Sequence, residues 1–97
     1  MKGNITAQAL LGEKLYYEAD TVEEYKEAQK WLEKAAIQKN AAAQYFLGNI
    51  LYYYLEEELD QEKGLELIRL SADQDYTEAQ YHMGEIYYLD FKDDASD

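Results

Sequence analysis

The chain contains no cysteine and no proline, and only five of its 97 residues are glycine. Without cysteine there is no disulfide framework and no thiolate zinc site. Without proline nothing breaks a helix from within, and the good helix formers Ala, Leu, Glu, Lys and Gln are abundant. No segment reads as a strand bounded by turn signals. Bases are scarce as well: nine stand against 21 acids, for a formal net charge of −12. That argues against direct binding to nucleic acid or to an anionic membrane, which are both polyanions. It favours a protein partner with a basic surface, or serves solubility alone. No apolar run approaches the roughly 20 residues that span a bilayer. The opening MKGNITAQAL lacks the apolar core and small-residue cleavage site of a secretory signal. A reducing, cytoplasmic setting fits these features.

What the chain does have is a period of 36 residues. AQALLGEKLYY opens at Ala7, AQYFLGNILYY at Ala43 and AQYHMGEIYY at Ala79. A second element, EAQKWLEKAAIQ from Glu27, recurs as KGLELIRLSADQ from Lys63. A fixed period of this size in helical segments signals stacked units rather than one globular core. Ala7, Leu11 and Leu15 fall on one helix face, as do Ala43, Leu47 and Leu51, then Ala79, Met83 and Tyr87. These define A helices over about 5–18, 41–55 and 77–89. B helices follow over about 22–38 and 61–73, carrying Trp31, Leu32, Ala35 and Ala36 in the first copy. The expected fold is all-α: a right-handed α-solenoid of five antiparallel helices, A-B-A-B-A, in one domain over residues 1–97. Repeat 1 covers about 5–40, repeat 2 about 41–76, and a terminal A helix about 77–90, with an acidic tail over 91–97.

Local signals support the division. Asn4 and Asn40 stand just before two A helices as N-caps, and Thr21 with Glu24 forms a capping box for the first B helix. Thr77 with Gln80 is read as a second box, and Asp60 as the cap of the second B helix. Gly12, Gly48 and Gly84 recur inside the A helices, where glycine costs about 1 kcal/mol relative to alanine. Close approach of a bulky neighbour explains such recurrence, and Trp31 with its counterpart Leu67 is the expected neighbour.

The runs Ala41-Ala42-Ala43-Gln44-Tyr45-Phe46-Leu47-Gly48 and Ala28-Gln29-Lys30-Trp31-Leu32-Glu33-Lys34-Ala35-Ala36 resemble the Sel1-like repeat, a relative of the tetratricopeptide repeat. The resemblance covers two full repeats and a final A helix. It implies a non-enzymatic protein-interaction module, an adaptor or scaffold, with no cofactor. It also implies a sharper alternative, a bacterial immunity protein that neutralises a basic toxin such as a nuclease by charge mimicry. The chain departs from the family in its A–B loops, where Glu18-Ala19-Asp20-Thr21 and Tyr54-Leu55-Glu56-Glu57 replace a Gly-x-Gly-Val turn. The second A helix is therefore expected to run on toward Glu58.

Catalytic chemistry finds no support in the residues. The lone histidine, His82, has no other histidine or cysteine with which to build a metal site. Ser71 replaces Ala35 of the first repeat at a packing position, and Ser96 lies in the tail. Neither follows a nucleophile-elbow motif, and the glycines form no phosphate-binding loop.

Interaction signals are stronger. Stacking would align the A–B loops along one edge. Acids concentrate there: Glu18, Asp20, Glu23 and Glu24, then Glu56, Glu57, Glu58, Asp60 and Glu62, then Asp90, Asp93, Asp94 and Asp97. Beside them lie Tyr16-Tyr17, Tyr52-Tyr53-Tyr54 and Tyr87-Tyr88. The candidate partner-binding residues on this edge are Tyr17, Glu18, Asp20, Tyr53, Tyr54, Glu56, Glu57, Glu58, Tyr88 and Asp90. Tyr45, Phe46, Tyr81 and His82 are candidates on a concave A-helix face. A third expectation comes from the last A helix, where Met83 and Tyr87 have no following B helix to cover them. That face is a candidate contact for a homodimer.

Overall fold

The computed structural model describes residues 4–55 and 58–95, with the side chains of 58, 59 and 90–95 excepted. Five α-helices follow in order: α1 (Ile5–Glu18), α2 (Val22–Ile37), α3 (Ala41–Asn49), α4 (Glu58–Asp73) and α5 (Thr77–Ala95). A π-helical turn, Ile50–Tyr54, prolongs α3. The molecule measures 54 × 29 × 21 Å, the elongated outline of stacked helical hairpins. It is an α-solenoid, with α1, α3 and α5 as A helices and α2 and α4 as B helices.

Each start is fixed locally. Asn4 Oδ1 accepts from the Ala7 N–H at 3.0 Å, and Asn40 Oδ1 from the Ala43 N–H at 2.9 Å. Thr21 Oγ1 accepts from the Glu24 N–H, while the Glu24 carboxylate accepts from the N–H groups of Asp20 and Thr21. The other two expected caps are corrected. Asp60 lies inside α4, which has already begun at Glu58. Thr77 is the first residue of α5, and the Gln80 side chain turns back to the Ala72 carbonyl and Asp75.

The turns follow two rules. Both B helices end on a left-handed residue, Lys39 (φ 65°) and Asp75 (φ 63°), again 36 apart. The Lys39 and Asn40 N–H groups donate to the carbonyls of Ala36 and Ala35, and Asp75 and Tyr76 donate to Ala72 and Ser71. That is a Schellman closure made without glycine. After the A helices, Ala19 (φ −72°) and Leu55 (φ −115°) are extended, and no described residue of either loop has a positive φ that would call for glycine. The second A helix therefore stops at Tyr54, at the position matching Glu18, rather than running toward Glu58. By contrast α5 continues to Ala95, so Asp93 and Asp94 are helical rather than part of a tail.

One cluster at the repeat junction is built from Ala28, Leu32, Ala35, Ala43, Phe46, Leu47 and Ile50. A second joins Ile68 to Ala79, Met83 and Ile86 of α5. Leu32, Ile50 and Ile68 are fully buried. Gly12 and Gly48 are explained by Leu32 and Ile68 and not by Trp31 or Leu67. A Cβ on Gly12 would lie 2.6 Å from Leu32 Cδ2, and one on Gly48 would lie 2.7 Å from Ile68 Cγ1 and from the Gly64 carbonyl oxygen. Trp31 is only half-buried, one position round the helix, with the Lys34 ammonium 4.5 Å from its ring centroid. Ser71, fully buried, donates to the Ala41 carbonyl at 2.7 Å. The Gln74 amide donates to the Lys39 carbonyl and to Gln44 Oε1, both at 2.8 Å. Those three bonds tie the end of α4 to the start of α3.

Candidate protein-interaction surface

Every A helix contributes aromatic rings to one connected cluster. Tyr17 of α1 meets Phe46 of α3 edge-on at 5.6 Å. One repeat later Tyr53 meets His82 of α5 at 5.4 Å with the rings nearly parallel, and its hydroxyl shares a hydrogen bond with His82 Nε2 at 2.5 Å. The two contacts are the same contact in register. Tyr45 joins them, 5.1 Å from Phe46, 5.9 Å from His82 and 5.5 Å from Tyr76 in the α4–α5 turn. Tyr16 lies beneath, against Phe46 and Tyr54, and Tyr54 stacks on Tyr25 of α2 at 4.0 Å.

Burial divides the predicted residues. Tyr17 is 69% exposed, Tyr53 50% and Tyr81 71%, while Tyr45 and His82 are half-buried. Phe46 is a correction: it is 3% exposed, because Tyr16, Tyr17 and Tyr45 close over it. It supports the surface from below. Tyr54 stands at the margin, held by Tyr25. Tyr88 is exposed on α5. Glu18 and Asp20 are exposed at the end of α1. Glu56 and Glu57 lie outside the described residues. Glu58 and Asp90 are placed only by their backbone, in the first turn of α4 and along α5. Of the acidic edge, Glu24 is occupied by its capping box, which holds its carboxyl below the usual range through the Asp20 N–H.

The charges of three carboxylates that the sequence reading passed over act on the tyrosines. Burial raises the Tyr17 hydroxyl above its ordinary pKa, and Glu13, Tyr45 and Glu78 raise it further. Burial also raises Tyr76 strongly, with the charges of Glu78 and then Glu13 adding to the effect. Tyr53 is raised by burial, then by Tyr52 and Glu85. Glu13 and Glu85 occupy the same repeat position, each just after an in-register glycine, and that was the legible signal. Tyr76 had none, since its counterpart is Asn40. His82 is pushed below its usual pKa by burial, against the opposing charge of Glu85. Its Nδ1 is buried with no partner among the described residues.

The bases gather elsewhere: Lys26, Lys30 and Lys34 on α2, Lys63 and Arg69 on α4. So an aromatic face with carboxylates at its rim is presented by the A helices, while the B helices carry most of the positive charge.

The Sel1 repeat model matches residues 5–40, 41–76 and 77–91, two whole units and the A part of a third. The chain belongs to the Sel1 repeat family. Sel1 repeats are non-catalytic modules of protein–protein interaction. No curated protein and no solved structure matches this Sel1 chain. No helix among its described residues is long and apolar enough to cross a membrane.

Proposed function

We propose that this Sel1 protein is an adaptor that binds a lysine- or arginine-rich segment of a partner across the face formed by α1, α3 and α5. The observation that carries the reading is the linking of Tyr17, Tyr45 and Tyr53 through Phe46 and His82 into one ring cluster, where Glu13 and Glu78 act by charge on Tyr17 and Glu85 on Tyr53. Tyrosine ring faces attract ammonium and guanidinium groups, and a neighbouring carboxylate adds a charge-assisted hydrogen bond. Exposed Tyr17, Tyr53 and Tyr81 offer large rigid contact area at small entropic cost.

An adaptor rests on this tyrosine–carboxylate face, whereas neutralisation of a basic toxin rests on net charge alone. The adaptor is therefore the reading adopted. The test is titration of the isotopically labelled protein with an arginine-rich peptide and with its glutamate counterpart, followed by NMR. Amide and ring shifts at Tyr17, Tyr45 and His82 are expected with the first peptide only. Double reversal Glu13→Lys and Glu78→Lys should weaken binding at least tenfold with unchanged helical circular dichroism. Reversal of Glu18 and Asp20 should do little. If the latter pair governs affinity, binding belongs to the A–B edge and the A-helix reading fails.

A further inference from the structure

Leu10, Phe46 and His82 occupy the same position in successive A helices, so only α5 places a titratable ring there. Phe46 and His82 make equivalent contacts one repeat apart, with Tyr17 and with Tyr53. The phenyl ring takes up no proton, whereas the imidazole can.

His82 is half-buried, and only one of its nitrogens is satisfied. Nε2 shares a hydrogen bond with the Tyr53 hydroxyl at 2.5 Å, while Nδ1 is buried without a partner among the described residues. The titratable groups that face the ring are Tyr53 from the π-helical turn, Tyr45 from α3 and Glu85 from α5 itself. Tyr52 and Tyr76 border them, 4.7 Å from Tyr53 and 5.5 Å from Tyr45. None of these groups is basic. An imidazolium carries two N–H donors, and the one at Nδ1 would be buried here with no acceptor. Burial accordingly disfavours the charged form in place, against the pull of Glu85. Away from Tyr53 a partner is at hand. Glu85 is exposed three residues further along α5, a spacing at which helical side chains meet.

We propose that His82 is a pH-operated latch on the tyrosine face: neutral, it stays against Tyr53 and leaves Glu85 to a partner's base; protonated, it turns to Glu85 and lowers the affinity for a basic segment. The latch rests on the tyrosine face being the binding site. Three changes act in one direction. Tyr53 loses a ring that holds it, a rim carboxylate is neutralised from within, and a positive charge enters a face that receives bases.

The first test needs no partner. NMR of the full chain with labelled histidine and tyrosine rings, from about pH 7.5 to about pH 5, should show the Tyr53 ring titrating with the His82 midpoint, below 6.5. The Tyr17 ring, against Phe46, should not share that midpoint. A Tyr53 ring indifferent to the His82 proton overturns the latch. The second test is fluorescence anisotropy with a rhodamine-labelled arginine-rich peptide, whose guanidinium groups stay charged over this range. Wild-type affinity should fall about fivefold or more between the two ends. His82→Phe and His82→Gln should each lose most of that fall, with the same helical circular dichroism at both ends. The readout is each protein's own ratio of affinities, so a loss common to both ends cancels. An equal fall in wild type and both variants assigns the dependence to carboxylates and overturns the latch, leaving the binding face intact. No binding by the wild type at about pH 7.5 overturns the reading of the face itself, and the latch with it.

Discussion

Gly48 and Gly84 are the same residue at the same repeat position in the same kind of helix, and they serve opposite conditions. Gly48 stands where α3 and α4 cross so closely that a Cβ on either Gly48 or Gly64 would strike the other's carbonyl oxygen, at 2.7 and 2.6 Å. Gly84 faces open space. A helix-destabilising residue is thus explained by packing in the second repeat, and in α5 by no contact among the described residues. The comparison teaches that a repeat carries its docking geometry whether or not a neighbour is present to use it.

The comparison can be broken or sharpened by substitution. The largest effect is expected at the side chain that fills a notch: Leu32→Ala removes a fully buried group and should cost about 3 kcal/mol in chemical denaturation. Trp31→Ala, at a half-buried position, should cost clearly less. A reversed order would mean that α2 presents a different face to the core.

Next comes Gly48→Ala, which forces a Cβ against backbone and should cost about 2 kcal/mol. Gly12→Ala should cost less, because its nearest obstacles are side-chain atoms of Leu32 that can shift. Gly84→Ala has the opposite sign. It meets no atom and gains helix propensity, so stability should rise by about 1 kcal/mol. A loss there would show that the open face is already occupied in solution.

The smallest effect concerns pH. Burial holds the His82 pKa below its unfolded value of 6.5. Between the depressed value and 6.5 the unfolded chain binds more protons than the folded one. His82 therefore removes stability as pH falls through that window, and its contribution levels off below it. His82→Phe, which copies Phe46 of the second repeat, should flatten the pH dependence of the thermal midpoint just below pH 6.5. An unchanged profile would place the dependence on carboxylates.

Much of this architecture was legible beforehand because its signals are short in range. The 36-residue period, the caps Asn4 and Asn40 and the Thr21–Glu24 box each act within one or two helical turns, and all stand in the structure. Features that require two elements to meet were less legible. Each residue turns a helix by roughly 100°. An error of one position therefore moves a side chain to another face, which is why Trp31 and Leu32 exchanged roles. Phe46 was expected at the surface because nothing local indicates that Tyr16 and Tyr17 of the preceding A helix will close over it. The tyrosine half of the candidate face was readable as an in-register pattern, and so were Glu13 and Glu85, whereas Glu78, which aligns with Ala42, was not.

By itself, then, the sequence determined the repeat, the helix order, the caps of the first three helices and membership of the Sel1 repeat family, all of which follow from periodicity and contacts within a few residues. Tertiary structure alone decided that the charge of Glu78 in α5 acts on Tyr17 of α1, and that of Glu13 in α1 on Tyr76. It alone decided that Leu32 and Ile68 fill two of three identical notches while the third stands open. The reason is that which helix faces which is settled by crossing and rotation of whole elements, and a linear pattern does not encode the residue that arrives opposite.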